Sequence, residues 1–381
     1  MPYSMLASRA LRFSTFAALL VSAAWLAACG GGGSGSSGKS AFLTPGPQTT
    51  EPPGNTVLYA AMSRGNRIDA YRLGTDGLLP GKPFDSISVR NPRRLVIANG
   101  VLYASLDKQL VAMRLGPDGS LPDAPTSETT LNQNSDPIQI LAQNNVVYSA
   151  DAGVNRVQSF RLDSNGNLPP FPTGSGEGQI PGDYVSLAFN GNALYAGARS
   201  SEVIDLFLLK PDGNVPIDAE RQSPQDDIAL PDDLIFRNNI IYVTSAGDKS
   251  IRAYKLVAGG FLPTDQDSRT ETEEFYEDIL IEGNTLYAAA YNAGRIDLYT
   301  IEPDGMLDKH SPFSRTEEDP ETYPSKMEIK DGIMYVAQAG IDRIDAYVLD
   351  ASGVLPNFPT SSTKRGPDQS FPLDIALYDL N

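Results

Sequence analysis

The chain has 381 residues and sets 30 lysines and arginines against 47 aspartates and glutamates, a formal charge of −17, with one cysteine and one histidine. Such an acidic balance works against nucleic acid and anionic lipid surfaces as partners. A single cysteine excludes an intramolecular disulfide, and a single histidine excludes a multi-histidine metal site.

In chain order, the first element is a targeting segment over residues 1–28. Arg9 and Arg12 precede an apolar run from Phe13 to Trp25, which is too short to span a bilayer comfortably. Leu26-Ala27-Ala28-Cys29 follows and resembles a bacterial lipoprotein lipobox, which implies an acylated Cys29 as the mature N-terminus and attachment to a membrane. Residues 29–54 then read as the lipidated cysteine and a Gly/Ser/Pro-rich tether. Loss of Arg9 and Arg12 with the leader leaves 28 bases against 47 acids, a charge of −19, so attachment rests on acyl chains with no basic patch assisting.

From residue 55 onward an apolar-Tyr-small triplet recurs seven times, at Tyr59, Tyr103, Tyr148, Tyr195, Tyr242, Tyr287 and Tyr335. The intervals of 44, 45, 47, 47, 45 and 48 residues are those of propeller blades. Twelve residues after the tyrosine stands an aromatic (Tyr71, Phe160, Phe207, Tyr254, Tyr299, Tyr347), with Met113 taking that place in the second copy. Next comes a turn glycine, as in Pro-Asp-Gly119 or Pro-Asp-Gly213, where glycine supplies a positive φ. Eight residues before the tyrosine sits an apolar landmark: Leu95, Ile140, Leu187, Leu234, Ile279 and Met327. The spacing predicts an inner strand A ending near that landmark, strand B on the tyrosine, strand C on the second aromatic, and strand D after the glycine turn. The repeated aromatics are expected to pack between blades and to hold no ligand.

The two ends of the repeat region complement one another. The first tyrosine has no strand A before it, while residues 371–377 (Phe-Pro-Leu-Asp-Ile-Ala-Leu) read as a strand A without its blade. The fold class is therefore all-β: a seven-bladed propeller over residues 55–381, with four-stranded antiparallel blades closed by the C-terminal strand joining the N-terminal blade. Closure hides sheet edges that would otherwise invite aggregation.

For the site, propeller geometry points to the residue just before each strand A landmark, at the mouth of the central channel. Taken round the ring these are Asp374, Arg94, Gln139, Ser186, Asp233, Asp278 and Lys326, with Arg93, Asp232 and Glu277 one residue earlier. Two carboxylates about 6 Å apart repel by roughly 3 kcal/mol at an effective dielectric near 20. Crowded acids therefore call either for internal ion pairing or for a hard cation such as Ca²⁺. Asp232, Asp233 and Glu277, which have no basic neighbour in this ordering, are the candidate metal ligands. No cofactor is otherwise implied. Arg67, Arg156, Arg295 and Arg343, eight residues after their tyrosines, are expected to pair with nearby acids such as Asp69, Asp297 and Asp345.

Other chemistry is set aside by what the chain lacks. His310 falls where strand D leaves its blade, away from the axis, which argues against a Ser-His-Asp or Cys-His nucleophile system. Neither a Walker loop nor a dinucleotide fingerprint occurs. Trp25, in the leader, is the only tryptophan, which argues against WD-type and quinoprotein propellers.

With aromatic-bearing strands, Asp-Gly-x-Leu turns and a proline-containing strand A, residues 55–381 resemble the seven-bladed lactonase family. That family includes propeller-type 6-phosphogluconolactonases and carboxymuconate-lactonising enzymes, and grades into YVTN-type surface repeats. Its characterised members use a histidine with glutamate and arginine at the channel mouth. The resemblance places Arg93 and Arg94 at the strand A entry and Glu277 as the carboxylate; no histidine matches. Two readings follow. One is a lipid-anchored, monomeric envelope module, periplasm-facing or in the outer membrane, that binds a small molecule, glycan or envelope protein at the channel mouth. The other is an extracytoplasmic lactone hydrolase in which Arg94 and Arg93 hold a carboxylate while Asp233, Asp278 or Glu277 activates water.

Overall fold

The computed structural model of the chain describes residues 53–224, 228–270, 274–308, 311–364 and 370–380. The leader, Cys29, the tether as far as residue 52, and His310 lie outside the described residues. The described residues form seven four-stranded sheets, every neighbouring pair of strands antiparallel. A 3₁₀ turn at Ala339–Ile341 is the only helical element among them.

Blade 1 joins the two ends of the chain. Its strand A is Pro372–Asp379, strand B Pro53–Met62, strand C Arg67–Gly74 and strand D Asp85–Ser88. Leu58 pairs with Leu377, Tyr59 with Ala376 and Ala60 with Ile375, so the C-terminal strand completes the blade begun at the N-terminus. Strands A of blades 2 to 7 are Arg94–Ala98, Pro137–Gln143, Tyr184–Asn190, Pro231–Arg237, Tyr276–Glu282 and Pro324–Lys330. Each touches the next, and that of blade 7 touches that of blade 1, so the seven A strands line a closed axis.

Strand A runs on through the apolar landmark, which is its central residue in blades 3 to 7 and its second in blade 2, and does not end there, which corrects the sequence expectation. The cause is the tightness of the A–B hairpins: Asn99-Gly100, Asn144-Asn145, Asn238-Asn239 and Asp331-Gly332 all have positive φ at both turn residues. Such turns match the strand twist and take up only two residues, leaving five to seven for the strand.

The core is divided into seven apolar clusters, one at each blade interface. Alternation along strand B explains the division. Val57, Tyr59 and Ala61 face blade 2, while Leu58, Ala60 and Met62 face blade 7. A strand buried on both faces favours apolar or small residues at successive positions, and this is why the apolar-Tyr-small triplet repeats.

The tyrosine and the turn glycine, the two strongest repeat signals, meet across these interfaces. The hydroxyl of Tyr59 donates to the carbonyl of Gly119 at 2.6 Å, Tyr103 to Gly166 at 2.7 Å, Tyr148 to Gly213 at 2.6 Å, and Tyr195 to Gly260. Tyr242 donates to Gly305, Tyr287 to Gly353 and Tyr335 to Gly77, each at 2.6 Å. Every blade thus holds the turn of the next, and Tyr335 carries the series across the chain ends. The turn glycines have φ between 75° and 87°. At Gly305 the φ of 87° strains any side chain, and a Cβ would also lie 2.1 Å from the Cδ1 of Ile240, which would have to move.

Candidate functional site

The residues just before the landmarks reach the axis as expected, and four of them span from one blade to the next. The amide of Leu95 in blade 2 donates to Asp374 Oδ2 at 2.7 Å, that of Ile279 to Asp233 Oδ2 at 3.1 Å, and that of Met327 to Asp278 Oδ2 at 2.8 Å. The amide of Leu187 donates likewise to Gln139 Oε1. The two cations of the ring reach the opposite way. Lys326 Nζ donates to Asp278 Oδ1 at 2.8 Å, and Arg94 Nη1 to the carbonyl of Leu373 at 3.3 Å. Arg94 Nη2 also lies 3.5 Å from Glu277 Oε1, across the channel. Ion-network residues in this ring therefore serve the fold directly.

Inside the ring lies an axial cavity of about 190 Å³. Of the expected residues, Arg94, Gln139, Asp232, Asp233, Glu277, Asp278, Lys326 and Asp374 line it. Ser186 and Arg93 do not. Ser186 is buried beside the axis with its hydroxyl unpartnered. Arg93 turns to a separate depression between blades 2 and 3, where it pairs with Asp136 and, at 3.4 Å, with Asp107.

A difference in the strand explains why Arg93 diverges while Asp232 and Glu277 do not. Strands A of blades 5 and 6 carry a register shift at their start, between Pro231 and Leu234 and between Tyr276 and Asp278, so consecutive acids can both face the cavity. Blade 2 pairs regularly from Arg94 onward, so Arg93 and Arg94 point to opposite sides.

Three polar lining residues were missed by sequence reasoning: Arg199, Ser325 and Glu328. Arg199 follows strand B of blade 4 (Ala193–Ala198) and pairs with Asp232. No periodic signal marks it. Its presence corrects the expectation that the Asp232, Asp233 and Glu277 edge lacks a base, since Arg199 meets Asp232 and Arg94 meets Glu277. Among the described residues no group of three or more acid, histidine or cysteine side chains is arranged to hold a metal ion. The strand C arginines pair as expected: Arg67 with Asp69 and Arg295 with Asp297 at 2.9 Å, Arg343 with Asp345 at 2.6 Å, and Arg156 with Glu177 at 3.0 Å.

Neither a protein-family model nor a curated protein matches the sequence. Solved structures do match. A Bacteroides uniformis protein provisionally assigned as a 6-phosphogluconolactonase aligns at 17% identity and a TM-score of 0.69, over 85% of this chain and 99% of its own. A Bacteroides fragilis protein of the same provisional assignment gives 17%, 0.69, 87% and 100%. The periplasmic gluconolactonase of Pseudomonas aeruginosa gives 16%, 0.65, 86% and 99%. The fold is that of the lactonase-type propellers.

In this propeller the cavity sets six carboxylates (Asp232, Asp233, Glu277, Asp278, Glu328, Asp374) against three cations (Arg94, Arg199, Lys326). Burial raises the Asp374 carboxyl to about 6, against the opposing pull of Arg94 and Lys326. It raises Glu328 to about 7, with Lys326 again opposing and Asp374 and Asp278 reinforcing. Asp233 is raised by burial and then by Asp278, and Glu277 by burial against Arg94 and Arg199. Burial works to lower the Lys326 ammonium, but Asp278, Glu328, Asp233 and Asp374 outweigh it and its pKa rises. Each cation is already engaged by a protein carboxylate, so the electrostatic surplus facing the cavity is negative.

Proposed function

We propose that this protein is a cell-envelope propeller, anchored through Cys29, whose axial cavity binds a small polar molecule. The observation that carries this reading is the state of the charged groups around the cavity. Arg94, Arg199 and Lys326 are held by Glu277, Asp232 and Asp278, and Asp374, Asp233 and Asp278 are engaged by backbone amides of neighbouring blades. A rigid, pre-formed polar pocket of this kind suits recognition, because its donors and acceptors are fixed before the ligand arrives. Envelope placement is supported by the lipobox-like Leu26-Ala27-Ala28-Cys29 and by the periplasmic location named for the Pseudomonas aeruginosa structure. It is tested by fractionation: the native protein is expected with membranes and a Cys29→Ser variant in the soluble fraction, and equal membrane retention of the two would contradict the anchor.

Lactone hydrolysis is the second reading, favoured by Asp233, whose carboxyl is raised to about 7 by burial and by Asp278, and by the activities named for the neighbouring structures. In it a carboxylate takes a proton from water, the resulting hydroxide adds to the lactone carbonyl, and the ring oxygen leaves as a hydroxyl after receiving a proton. Of the acids named from sequence, Asp278 is fully engaged by Lys326 and the Met327 amide, and Glu277 by Arg94, which leaves Asp233 as the base. The deciding assay is hydrolysis of glucono-δ-lactone by wild type and Arg94→Ala, with and without EDTA. The binding reading predicts the uncatalysed rate for both proteins. A wild-type rate at least tenfold above the variant would establish the hydrolase instead.

A further inference from the structure

Seven positions face the blade tyrosines from strand A, one in each blade. They are Ala376 opposite Tyr59, Val96 opposite Tyr103, Leu141 opposite Tyr148, Ala188 opposite Tyr195, Ile235 opposite Tyr242, Leu280 opposite Tyr287 and Glu328 opposite Tyr335. Six are apolar and one is a carboxylate. The register is the same in every blade, so the fold itself asks for an apolar residue here.

Glu328 lines the cavity and, unlike the other acids of the ring, accepts no hydrogen bond and forms no ion pair among the described residues. Lys326, two residues earlier on the same strand, is turned to Asp278 at 2.8 Å. Glu328 is partly buried and its carboxylate oxygens open into the cavity. A lone acid in an otherwise apolar column, aimed at the cavity and bonded to no described residue, is placed to meet a ligand there. A second acceptor in the same cavity is also incomplete: Asp232 is 8% exposed, and its Oδ2 has no hydrogen-bond partner.

Both unfilled groups are acceptors, while the three cavity cations are engaged. The missing partner is thus a donor, and in a cavity with an acidic surplus a positively charged one is favoured over a neutral one. An anionic ligand such as a phosphate ester would meet the surplus with like charge. The available space, about 190 Å³, holds a small molecule. We propose that Glu328 is the ligand-contacting residue of the axial cavity and that it holds the ammonium group of a small organic amine. This rests on the reading of the cavity as a binding site.

Isothermal titration of the full-length protein in an amine-free buffer near pH 7.5 tests it, with ethylamine, glycerol and gluconate as cationic, neutral and anionic probes. Saturable binding of ethylamine is expected, weakened at least tenfold in both Glu328→Leu and Glu328→Gln. Melting temperatures of the free proteins provide the second readout, with Glu328→Leu expected at or above wild type. Ethylamine binding that is unchanged in Glu328→Leu overturns the assignment, as does a Glu328→Leu protein that melts several degrees lower, which would make the carboxylate a structural group. Binding of gluconate or glycerol but not ethylamine overturns the ligand class while leaving the cavity a binding site. Saturation by none of the three overturns both.

Discussion

Tyr335 shows at the scale of one side chain how the repeat becomes a ring. Its hydroxyl crosses from blade 7 to the Gly77 carbonyl of blade 1, as the other six tyrosines do between sequence neighbours. Burial pushes the Tyr148, Tyr195 and Tyr287 phenols up to about 12, so they remain protonated donors across the physiological range. The bond is isolated by replacing Tyr148 with Phe, which keeps the ring and leaves the Gly213 carbonyl without its donor. A loss of about 1 kcal/mol in unfolding free energy is expected from urea titration, with an unchanged m-value. No loss would mean that the tyrosines act through packing alone. Among the cavity residues, Asp374 accepts both the Leu95 amide and its own neighbour's, Ile375, at 2.9 Å. Asp374→Ala orphans the buried Leu95 amide and should cost about 1–3 kcal/mol, whereas Asp374→Asn keeps an acceptor oxygen and should cost less. Equal losses in the two variants would contradict the bond's role.

Strands are where sequence and structure part company in informative ways. The blade period, the glycine turn and the closing strand were legible because they are demanded at every blade by the same packing: a strand buried on both faces and a turn that only glycine fits. The end of strand A was misplaced because two-residue Asn-Gly and Asn-Asn hairpins free the residues after the landmark for pairing. The ring of Asp374, Arg94, Gln139, Asp233, Asp278 and Lys326 was legible by position, since the connection from strand D delivers that residue to the axis in each blade. Local backbone detail decided the rest. A register shift brings Asp232 and Glu277 inward beside their neighbours, and regular pairing sends Arg93 away. Arg199 reaches Asp232 from strand B of another blade, a meeting that no spacing encodes. Glu328 did leave a signal, a lone acid in an apolar column, but its meaning depends on knowing that all seven positions share one register.

At the scale of the whole molecule the charge distribution predicts how stability depends on pH. Glu328, Asp374 and Asp205 all have carboxyls raised by burial, to about 7, 6 and 6. Groups raised in this way contribute stability that is fully present below their unfolded pKa and lost as pH climbs through the folded value. Asp118, Asp163, Asp212 and Asp350 are held low, chiefly by hydrogen bonds within their turns, and their contribution is lost only as pH falls through those depressed values. The melting temperature should therefore rise by several degrees from pH 8 to about pH 5, then fall below about pH 4. The formal charge of −17 adds to the first trend through self-repulsion. A melting temperature that climbs steadily from pH 5 to 8 would contradict it. The cavity, its acid ring and the blade locks all presuppose that the ring is sealed by Pro372–Asp379. The most direct test is thermal unfolding of the protein lacking residues 370–381. Loss of the cooperative transition, or a melting temperature lowered by tens of degrees, is predicted. A truncated protein melting within a few degrees of the intact one would show that the ring does not depend on that strand.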